Sequence, residues 1–251
     1  MRLYLISAPV LQPSYLQFLN DRAVEWKESE TTSDAQRLIE LSGRICYMSF
    51  GERQSPRTNS EYIANLINNA HESVLEHANF SILADGISRG LSHQLVRHRA
   101  GFSYSQLSQQ YHDEADSTFV KPHGLEKFPD LERLWEATVD QSRQSYKRMA
   151  NELSTSPAGQ DLSNKERMRM IRSACRSVLP AATATCLMIT ANARAWRNLL
   201  ATRGAIEGDF EMLDFCSGIF KLLESYAPAL FPDFECTPAE QGHFVVKRRS
   251  L

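Results

Sequence analysis

The stretch from Arg97 to Tyr111, which reads RHRAGFSYSQLSQQY, constrains the fold more than any other. Its first three residues are cationic or potentially cationic, and they close a segment of helical periodicity. Because neighbouring side chains cannot share one helix face, we expect these three to fan outward where a helix ends. Arginine offers planar, bidentate donors to phosphate, so the cluster suits a multiply charged anion. A solvated basic turn is the simpler interpretation of the three residues taken alone.

The remainder of the stretch is predicted to be a loop in which serine, glutamine and aromatic residues alternate. Serine and glutamine supply neutral donors and acceptors, which can contact a base or a sugar but would be wasted in a core. The sequence therefore indicates an anion site followed by a loop suited to reading a small polar ligand.

The segment before the basic cluster predicts a two-faced helix from Ile87 to Arg99, although Gly90 weakens helix formation there. Its apolar stripe consists of Ile87, Leu91 and Leu95. The opposite face carries cationic side chains at i, i+4 and i+8, namely Arg89, His93 and Arg97. Gln94 lies at the border between the two faces. An exposed charged face is the plain alternative, and the serine-rich loop that follows favours a site.

Local sequence patterns predict the other strands and helices. Strands are expected at Leu3–Ser7, at Ala182–Thr190 and after His77, where Phe80, Ile82 and Ala84 alternate inward. Helices are expected from a cap at Ser33 to about Ile45, and over Glu61–Ala70, Leu131–Leu153, Lys165–Val178, Asn192–Arg203 with a stop at Gly204, and Glu207–Tyr226. The basic stripe Arg169, Arg172 and Arg176 is expected to be mostly solvated or paired with acids.

Composition excludes several classes of function. The balance of 28 basic against 30 acidic residues argues against general nucleic-acid binding. No apolar run is long enough to span a bilayer, and Pro9 and Pro13 break the N-terminus too early for a secretion signal. Five scattered cysteines without a CxxC pair predict a reduced, cytoplasmic protein with buried thiols. His71 and His77 lack a helical ligand spacing and a third ligand, so no metal site is expected.

Four sequence blocks together resemble one known family, the flavin-dependent thymidylate synthases. They are HESVLEH (His71 to His77), GISRGLSHQLVRHR, RSVLPAATAT and NARAWRNLLATR, in order and at family-like spacing between about Arg44 and Phe234. The resemblance implies an α+β single domain over residues 1–251, with a central, mainly antiparallel sheet flanked by helices. It also implies a homotetramer, because the family builds its flavin sites from several subunits.

Two departures from the family pattern fall in the loop that would read the nucleotide. Eight residues, Ala100 to Leu107, separate the RHR triplet from Ser108, whereas the family usually has seven. Gln110 stands where the family has an arginine. A longer loop and a shorter, neutral side chain both suggest a pocket relaxed around the sugar, so we expect UMP to be accepted as well as dUMP.

The resemblance implies C5 methylation of a uracil nucleotide, with 5,10-methylenetetrahydrofolate as carbon donor, FAD and NADPH. By resemblance, the nucleotide-binding residues are Gln94, Arg97, Gln106, Leu107, Ser108, Gln110, Arg176 and Arg203. The cofactor-binding residues are Ser73, Arg97, His98, Arg99, Gln106, Asn192, Arg194 and Asn198, with Glu76 buttressing the site. Arg203 is the expected catalytic residue, because a cation near N3 and O4 loads C5 of the ring with electron density.

The cysteine and glycine patterns agree with such chemistry. No cysteine follows a proline, so the Pro-Cys nucleophile of classical thymidylate synthases is unsupported. Hydride must come from a cofactor, since no side chain donates it. The chain has no GxGxxG motif and hence no support for a Rossmann site. Two alternatives stay open: a non-catalytic nucleotide- or RNA-binding homologue, suggested by Gln110, and a flavoprotein that reduces or hydroxymethylates a nucleotide.

Overall fold

The computed structural model describes residues 1–28, 33–55, 57–239 and 242–249. The strands are β1 (Arg2–Ser7), β2 (Asn79–Ser88), β3 (Phe102–Gln106), β4 (Ala184–Asn192), β5 (Phe234–Pro238) and β6 (Phe244–Arg248). The helices are α1 (Ser14–Asp21), α2 (Asp34–Tyr47), α3 (Asn59–Asn68), α4 (Arg89–Leu95), α5 (Pro129–Thr155), α6 (Asn164–Cys175), α7 (Ala193–Arg203) and α8 (Phe210–Tyr226). Within the described residues, no helix has the length and apolar character needed to cross a membrane.

Strands β1 to β4 form one antiparallel sheet in the order β1-β2-β4-β3, and β5 pairs with β6 in a separate hairpin. The predicted α+β class with an antiparallel sheet is therefore confirmed. The chain divides into two compact units, and each of the strands β1 to β4 contributes residues to both. The first unit comprises 1–2, 84–97 and 105–188, and the second comprises 3–83, 98–104 and 189–251. The single-domain assignment stays a prediction.

The second unit is built around the apolar side of α7. Trp196, Leu199 and Leu200 are fully buried there, and the Phe102 ring meets the edge of Trp196 with 5.3 Å between centroids. Burial of such side chains is the dominant favourable term in folding. The predicted inward residues of β2 are also confirmed, since Phe80 and Ile82 have no exposed surface. The rigid, apolar body of α7 fixes the direction of its exposed residues.

The first unit is held together by contacts between α5 and α6. Tyr146, Ile171 and Cys175 form its buried cluster. The Tyr146 hydroxyl also accepts a hydrogen bond from the backbone N–H of Glu114 at 3.2 Å, which fastens the chain after the predicted loop to α5.

The predicted helix from Ile87 to Arg99 is wrong in extent. Ile87 belongs to β2, and α4 begins only at Arg89, because the Ser88 hydroxyl caps it by accepting a hydrogen bond from the N–H of Leu91 at 2.9 Å. The helix ends at Leu95, so Arg97 lies outside it. The predicted cationic face at i, i+4 and i+8 is therefore also wrong.

The predicted loop after the basic cluster contains a strand, β3. Hydrogen bonds to β4 fix both of its ends: Asn192 N–H donates to the carbonyl of Gly101 at 3.3 Å, and Leu107 N–H donates to the carbonyl of Cys186 at 3.0 Å. The serine and aromatic alternation is the period-two pattern of a strand with an exposed serine face. This segment is a strand and not the predicted loop because it pairs with β4, and the local sequence does not show that pairing.

Other sequence expectations need smaller corrections. Helix α1 and the β5–β6 hairpin had not been predicted, and α6 ends at Cys175, before a short turn over Arg176–Val178. Cys46 is exposed on α2, and Cys186 and Cys236 are only partly buried, contrary to the prediction of buried thiols. Gly204 does end α7 as predicted, but at a negative φ of −67°. Its need for glycine is one of space, because an added Cβ would lie 2.4 Å from the carbonyl oxygen of Val246.

Candidate functional site

The junction of β4 and α7 places three of the predicted cofactor residues around one cavity in the second unit. Asn192 caps α7 by accepting a hydrogen bond from the N–H of Ala195 at 2.8 Å. Arg194 and Asn198 follow one turn apart and are both exposed on the same side of the helix. The cavity measures about 470 Å³ and is lined by Glu72, Glu76, Ala100, Gly101, Asn192, Arg194, Ala195, Asn198 and Arg248. Its volume is within the range of small-molecule sites.

Ion pairs hold the side chains that form one wall of this cavity. Arg194 Nη1 donates to Glu76 Oε1 at 2.6 Å, and Arg194 Nε lies 3.7 Å from Glu72 Oε2. Glu76 therefore holds the Arg194 guanidinium at the cavity wall, and its buttressing of a cofactor site stays a prediction. Behind this wall, buried Arg197 binds Asp233 through two hydrogen bonds of 2.7 and 2.8 Å. Burial raises the pKa of Asp233, but the hydrogen bonds from Arg197 outweigh it and leave the pKa lowered.

A tight turn at Ala100 and Gly101, the start of the loop that follows the basic cluster, forms part of the cavity lining. Phe102 N–H donates to the carbonyl of Arg99 at 3.1 Å, and Gly101 adopts a φ of +77° within this turn. A Cβ on Gly101 would lie 2.7 Å from Asn192 Nδ2 and 2.9 Å from Ala195 Cβ. The backbone at Gly101 thus approaches the cap of α7 as closely as a glycine permits.

This donor set fits a flavin dinucleotide. The cavity offers arginine forks for phosphate, carboxamides that donate and accept, and a bare glycine backbone where a flat group can approach. Among the predicted cofactor-binding residues, those that line the cavity and contribute to this fit are Asn192, Arg194 and Asn198. Arg99 and Ser73 are exposed elsewhere in the second unit, and neither lines the cavity.

Arg203, at the C-terminal end of α7, is joined to the basic cluster. Its Nε donates a hydrogen bond to Nε2 of His98 at 3.2 Å. Burial, and secondarily the charge of Arg203, lowers the pKa of His98. The Tyr104 hydroxyl donates to the carbonyl of His98 at 2.9 Å, and the Tyr104 and Phe102 rings stack 5.7 Å apart. These contacts make His98 a neutral acceptor that orients the Arg203 guanidinium.

The first unit contains the other predicted nucleotide residues, which hydrogen bonds tether to α4 and α6. Gln106 Nε2 donates to Ser92 Oγ at 2.8 Å. Gln110 Nε2 donates to Ser173 Oγ at 3.1 Å, and its backbone N–H donates to Ser108 Oγ at 3.3 Å. The neutral side chain that replaces the family's arginine is therefore directed onto α6.

Three arginines beside this segment keep a buried Nε without a hydrogen-bond acceptor. They are Arg89, Arg169 and Arg172. Arg172 Nη1 donates to the carbonyl of Tyr111 at 2.6 Å, and the Arg169 guanidinium lies 5.6 Å over the Tyr111 ring. Arg169 and Arg172 are thus half-buried and contact the exposed Tyr111, whereas Arg176 is exposed as expected.

The remaining predicted site residues are divided between the two compact units. Arg97 and Arg99 are exposed and His98 is half-buried, which agrees with the expected fan. Gln94, Leu107 and Arg176 also belong to the first unit, whereas Arg203 belongs to the second. No group of three or more potential metal ligands occurs in the part of the chain that the structure describes.

Sequence reasoning missed Glu72 and Arg248, which line the cavity. Glu72 lies inside the HESVLEH block, so its place in that motif was an available signal. Arg248 is on the unpredicted strand β6, and no local pattern marked it.

Known proteins resemble this chain over most of its length. Residues 29–229 match the family described as Thymidylate synthase complementing protein. A flavin-dependent thymidylate synthase of Mycolicibacterium gilvum (strain PYR-GCK) is 41% identical over 221 residues, covering 87% of this chain and 86% of the relative. Proteins of the same name from Mycobacterium avium (strain 104) and Mycobacterium tuberculosis (strain ATCC 25177 / H37Ra) are 40% and 39% identical, covering 90% of this chain and 89% of each relative. The chain therefore belongs to the flavin-dependent thymidylate synthase family of enzymes.

Proposed function

We propose that this enzyme methylates C5 of a uracil nucleotide, dUMP and also UMP, in a reductive reaction without a cysteine nucleophile. It uses FAD, takes its carbon from 5,10-methylenetetrahydrofolate and its reducing equivalents from NADPH, and acts as a cytoplasmic homotetramer. The observation that carries the proposal is the cavity of about 470 Å³ on which Asn192, Arg194 and Asn198 converge. Family membership supports the same reaction class.

The cavity residues would hold the flavin by its polar parts. The Arg194 guanidinium binds phosphate oxygens, and the carboxamides of Asn192 and Asn198 bind sugar or ring heteroatoms. When bound, the flavin supplies the redox chemistry that no side chain can provide. The protein contributes orientation, and Gly101 presents backbone in the lining of the cavity.

Arg203 would stabilise the negative charge that the uracil ring develops. Its Nε is engaged with His98, which leaves the terminal nitrogens of the guanidinium to face the ring oxygen. Because His98 fixes the plane of the group beforehand, little reorganisation is needed as charge builds up. Preorganised charge of this kind is usually the largest single catalytic term.

The environment of the thiols favours this electrostatic route over a covalent one. Burial raises the pKa of Cys216 to about 12, and burial also raises the pKa of Cys175, Cys186 and Cys236. A nucleophilic cysteine needs a lowered pKa, because the thiolate is the reactive form. The Cys46 thiol donates to the carbonyl of Ser42 on the exposed side of α2.

Acceptance of UMP follows from the neutral side chain at position 110. The amide of Gln110 is held by Ser173, so no fixed charge or long side chain from that position restricts the sugar. An added hydroxyl group is rejected only weakly when nothing in the site excludes it. The 2′-hydroxyl of UMP would therefore be tolerated.

The decisive experiment combines Arg203→Ala and Arg203→Lys with product analysis by mass. With dUMP and UMP offered separately, the wild type should yield products heavier by one methyl group. Arg203→Ala should lose about 10²- to 10³-fold in kcat, as expected for one preorganised donor, and should keep its flavin. Near-normal turnover in Arg203→Ala would refute the role of this residue.

The two alternatives give different outcomes in the same experiment. A colourless protein that releases no flavin on denaturation would favour a non-catalytic nucleotide-binding homologue. A product carrying a hydroxymethyl group, or one that is only reduced, would favour the incomplete flavoprotein reaction.

A further inference from the structure

A second arginine, Arg248, lines the cavity from a part of the chain beyond the family match. It is the last residue of β6 and pairs with Phe234 in the hairpin register. The family match ends at residue 229, so the whole hairpin lies outside it. The Arg248 guanidinium lies 5.7 Å over the Phe234 ring, and its Nε is 3.7 Å from Asp233 Oδ2. These contacts restrict a side chain that would otherwise be free at the surface.

One carboxylate, that of Glu72, lies between the two arginines of the cavity. Glu72 Oε1 lies 3.5 Å from Arg248 Nη2, and Glu72 Oε2 lies 3.7 Å from Arg194 Nε. Glu72 Oε1 is also 3.8 Å from buried Arg197. Its oxygens are therefore shared among three guanidinium groups. Each arginine has five N–H donors, and the ion pairs of Arg194 and Arg248 with Glu72, Glu76 and Asp233 engage only some of them.

The hairpin is fixed to the helix that carries Arg194. Val246 N–H donates to the carbonyl of Gly204 at 2.8 Å, and the bare Cα of Gly204 lets the β6 backbone lie against the end of α7. Val246 is buried. Since Arg248 follows two residues later on the same strand, its position at the cavity is determined by packing and does not depend on a ligand.

We propose that Arg248 is a further cofactor-binding residue, which with Arg194 grips the diphosphate of the flavin dinucleotide. This inference rests on the proposed function. Paired arginine forks are well suited to adjacent phosphate groups, because each can donate two parallel hydrogen bonds to oxygens. Glu72 is a positioning residue that contacts both guanidinium groups at the cavity wall.

The test measures the binding of FAD to flavin-free protein through the quenching of flavin fluorescence. Arg248→Ala should bind FAD about tenfold more weakly than wild type. The dependence of the dissociation constant on NaCl should also become shallower, because one phosphate-binding cation is lost. Arg248→Lys should recover part of the affinity. Arg249→Ala is the matched control, since this exposed neighbour does not line the cavity, and it should bind FAD as wild type does.

Each outcome is decisive, and failure of the inference differs from failure of the proposed function. A wild type that binds no FAD contradicts the proposed function. A wild type that binds FAD while Arg248→Ala binds it equally well overturns only the inference, as does an equal loss in Arg249→Ala. Weaker NADPH binding with unchanged FAD binding also overturns it. If alanine unfolds the hairpin, shown by a lowered melting temperature, Arg248→Gln keeps the length of the side chain and takes its place.

Discussion

Arg203 Nε donates a hydrogen bond to His98 Nε2 at 3.2 Å. This bond joins the middle residue of the basic cluster to the last residue of α7. A histidine that accepts this bond is neutral and carries its proton on Nδ1. The predicted catalytic charge is therefore positioned by a group that can itself titrate. Activity and stability should both respond to the protonation of His98.

The first prediction concerns pH. Burial and the neighbouring Arg203 charge place the pKa of His98 below its ordinary value of 6.5. Between that lowered pKa and 6.5 the unfolded chain binds more protons than the folded one, so stability falls as the pH is lowered through this window. Urea denaturation of wild type and His98→Gln over this window measures the effect. The glutamine keeps an acceptor for Arg203 and does not titrate, so its unfolding free energy should vary less with pH.

The turnover of the same pair provides the control. Wild-type kcat should decline below the lowered pKa of His98, since protonation removes the acceptor and repels Arg203. His98→Gln should lack this acid limb. Identical pH profiles of stability and kcat in the two proteins would contradict the role of His98.

The second prediction separates steric fit from backbone strain at Gly101. Gly101→Ala adds a Cβ 2.7 Å from Asn192 Nδ2 at a φ of +77°, whereas Gly208→Ala adds one with no atom within 4 Å at a φ of +83°. Both should lose about 1 kcal/mol of stability from the left-handed backbone. Only Gly101→Ala should also lose flavin affinity, because it displaces the cap of α7. Equal flavin affinity in the two variants would show that the turn does not shape the cavity.

The third prediction is that every cysteine is dispensable for chemistry. Alanine variants at Cys46, Cys175, Cys186, Cys216 and Cys236 should each retain methylation. Cys216→Ala should melt at a lower temperature, because it removes a fully buried side chain. Turnover and flavin content are measured on each folded variant. One variant that folds, binds flavin and is inactive would show that the reaction uses a thiol.

The sequence predicted elements well where apolar periodicity was strong. The alternation in β2 and the pattern of α7 were enough to define a buried strand and a helix. Prediction from the sequence failed where a single capping side chain or pairing with a distant strand determines the secondary structure. The Ser88 cap shortens α4, and pairing with β4 makes a strand of Phe102–Gln106, whose serines and glutamine gave no apolar signal.

The candidate site divides in the same way. Motif positions led to Asn192, Arg194 and Asn198, which share a cavity. The partnership of Glu72 with Arg248 joins residues 176 positions apart, and no local pattern encodes such a pair. A residue's place in a motif is readable from the sequence, whereas its charge partner depends on the tertiary fold.

The last prediction concerns the sugar of the nucleotide. Ala100 and Gly101, the small pair at the start of the longer loop, line the cavity, so deletion of Gly101 would disturb flavin binding as well as the nucleotide segment. Gln110→Arg alone is therefore the cleaner test. The variant restores a longer, charged side chain where Gln110 now bonds to Ser173, and it should lower the UMP-to-dUMP ratio of kcat/KM about tenfold, since weak steric exclusion of a hydroxyl has this magnitude. Ser173→Ala, which leaves position 110 neutral, is the control and should keep its use of UMP. If wild type shows no turnover of saturating UMP, or if Gln110→Arg keeps the wild-type ratio, position 110 does not select the sugar.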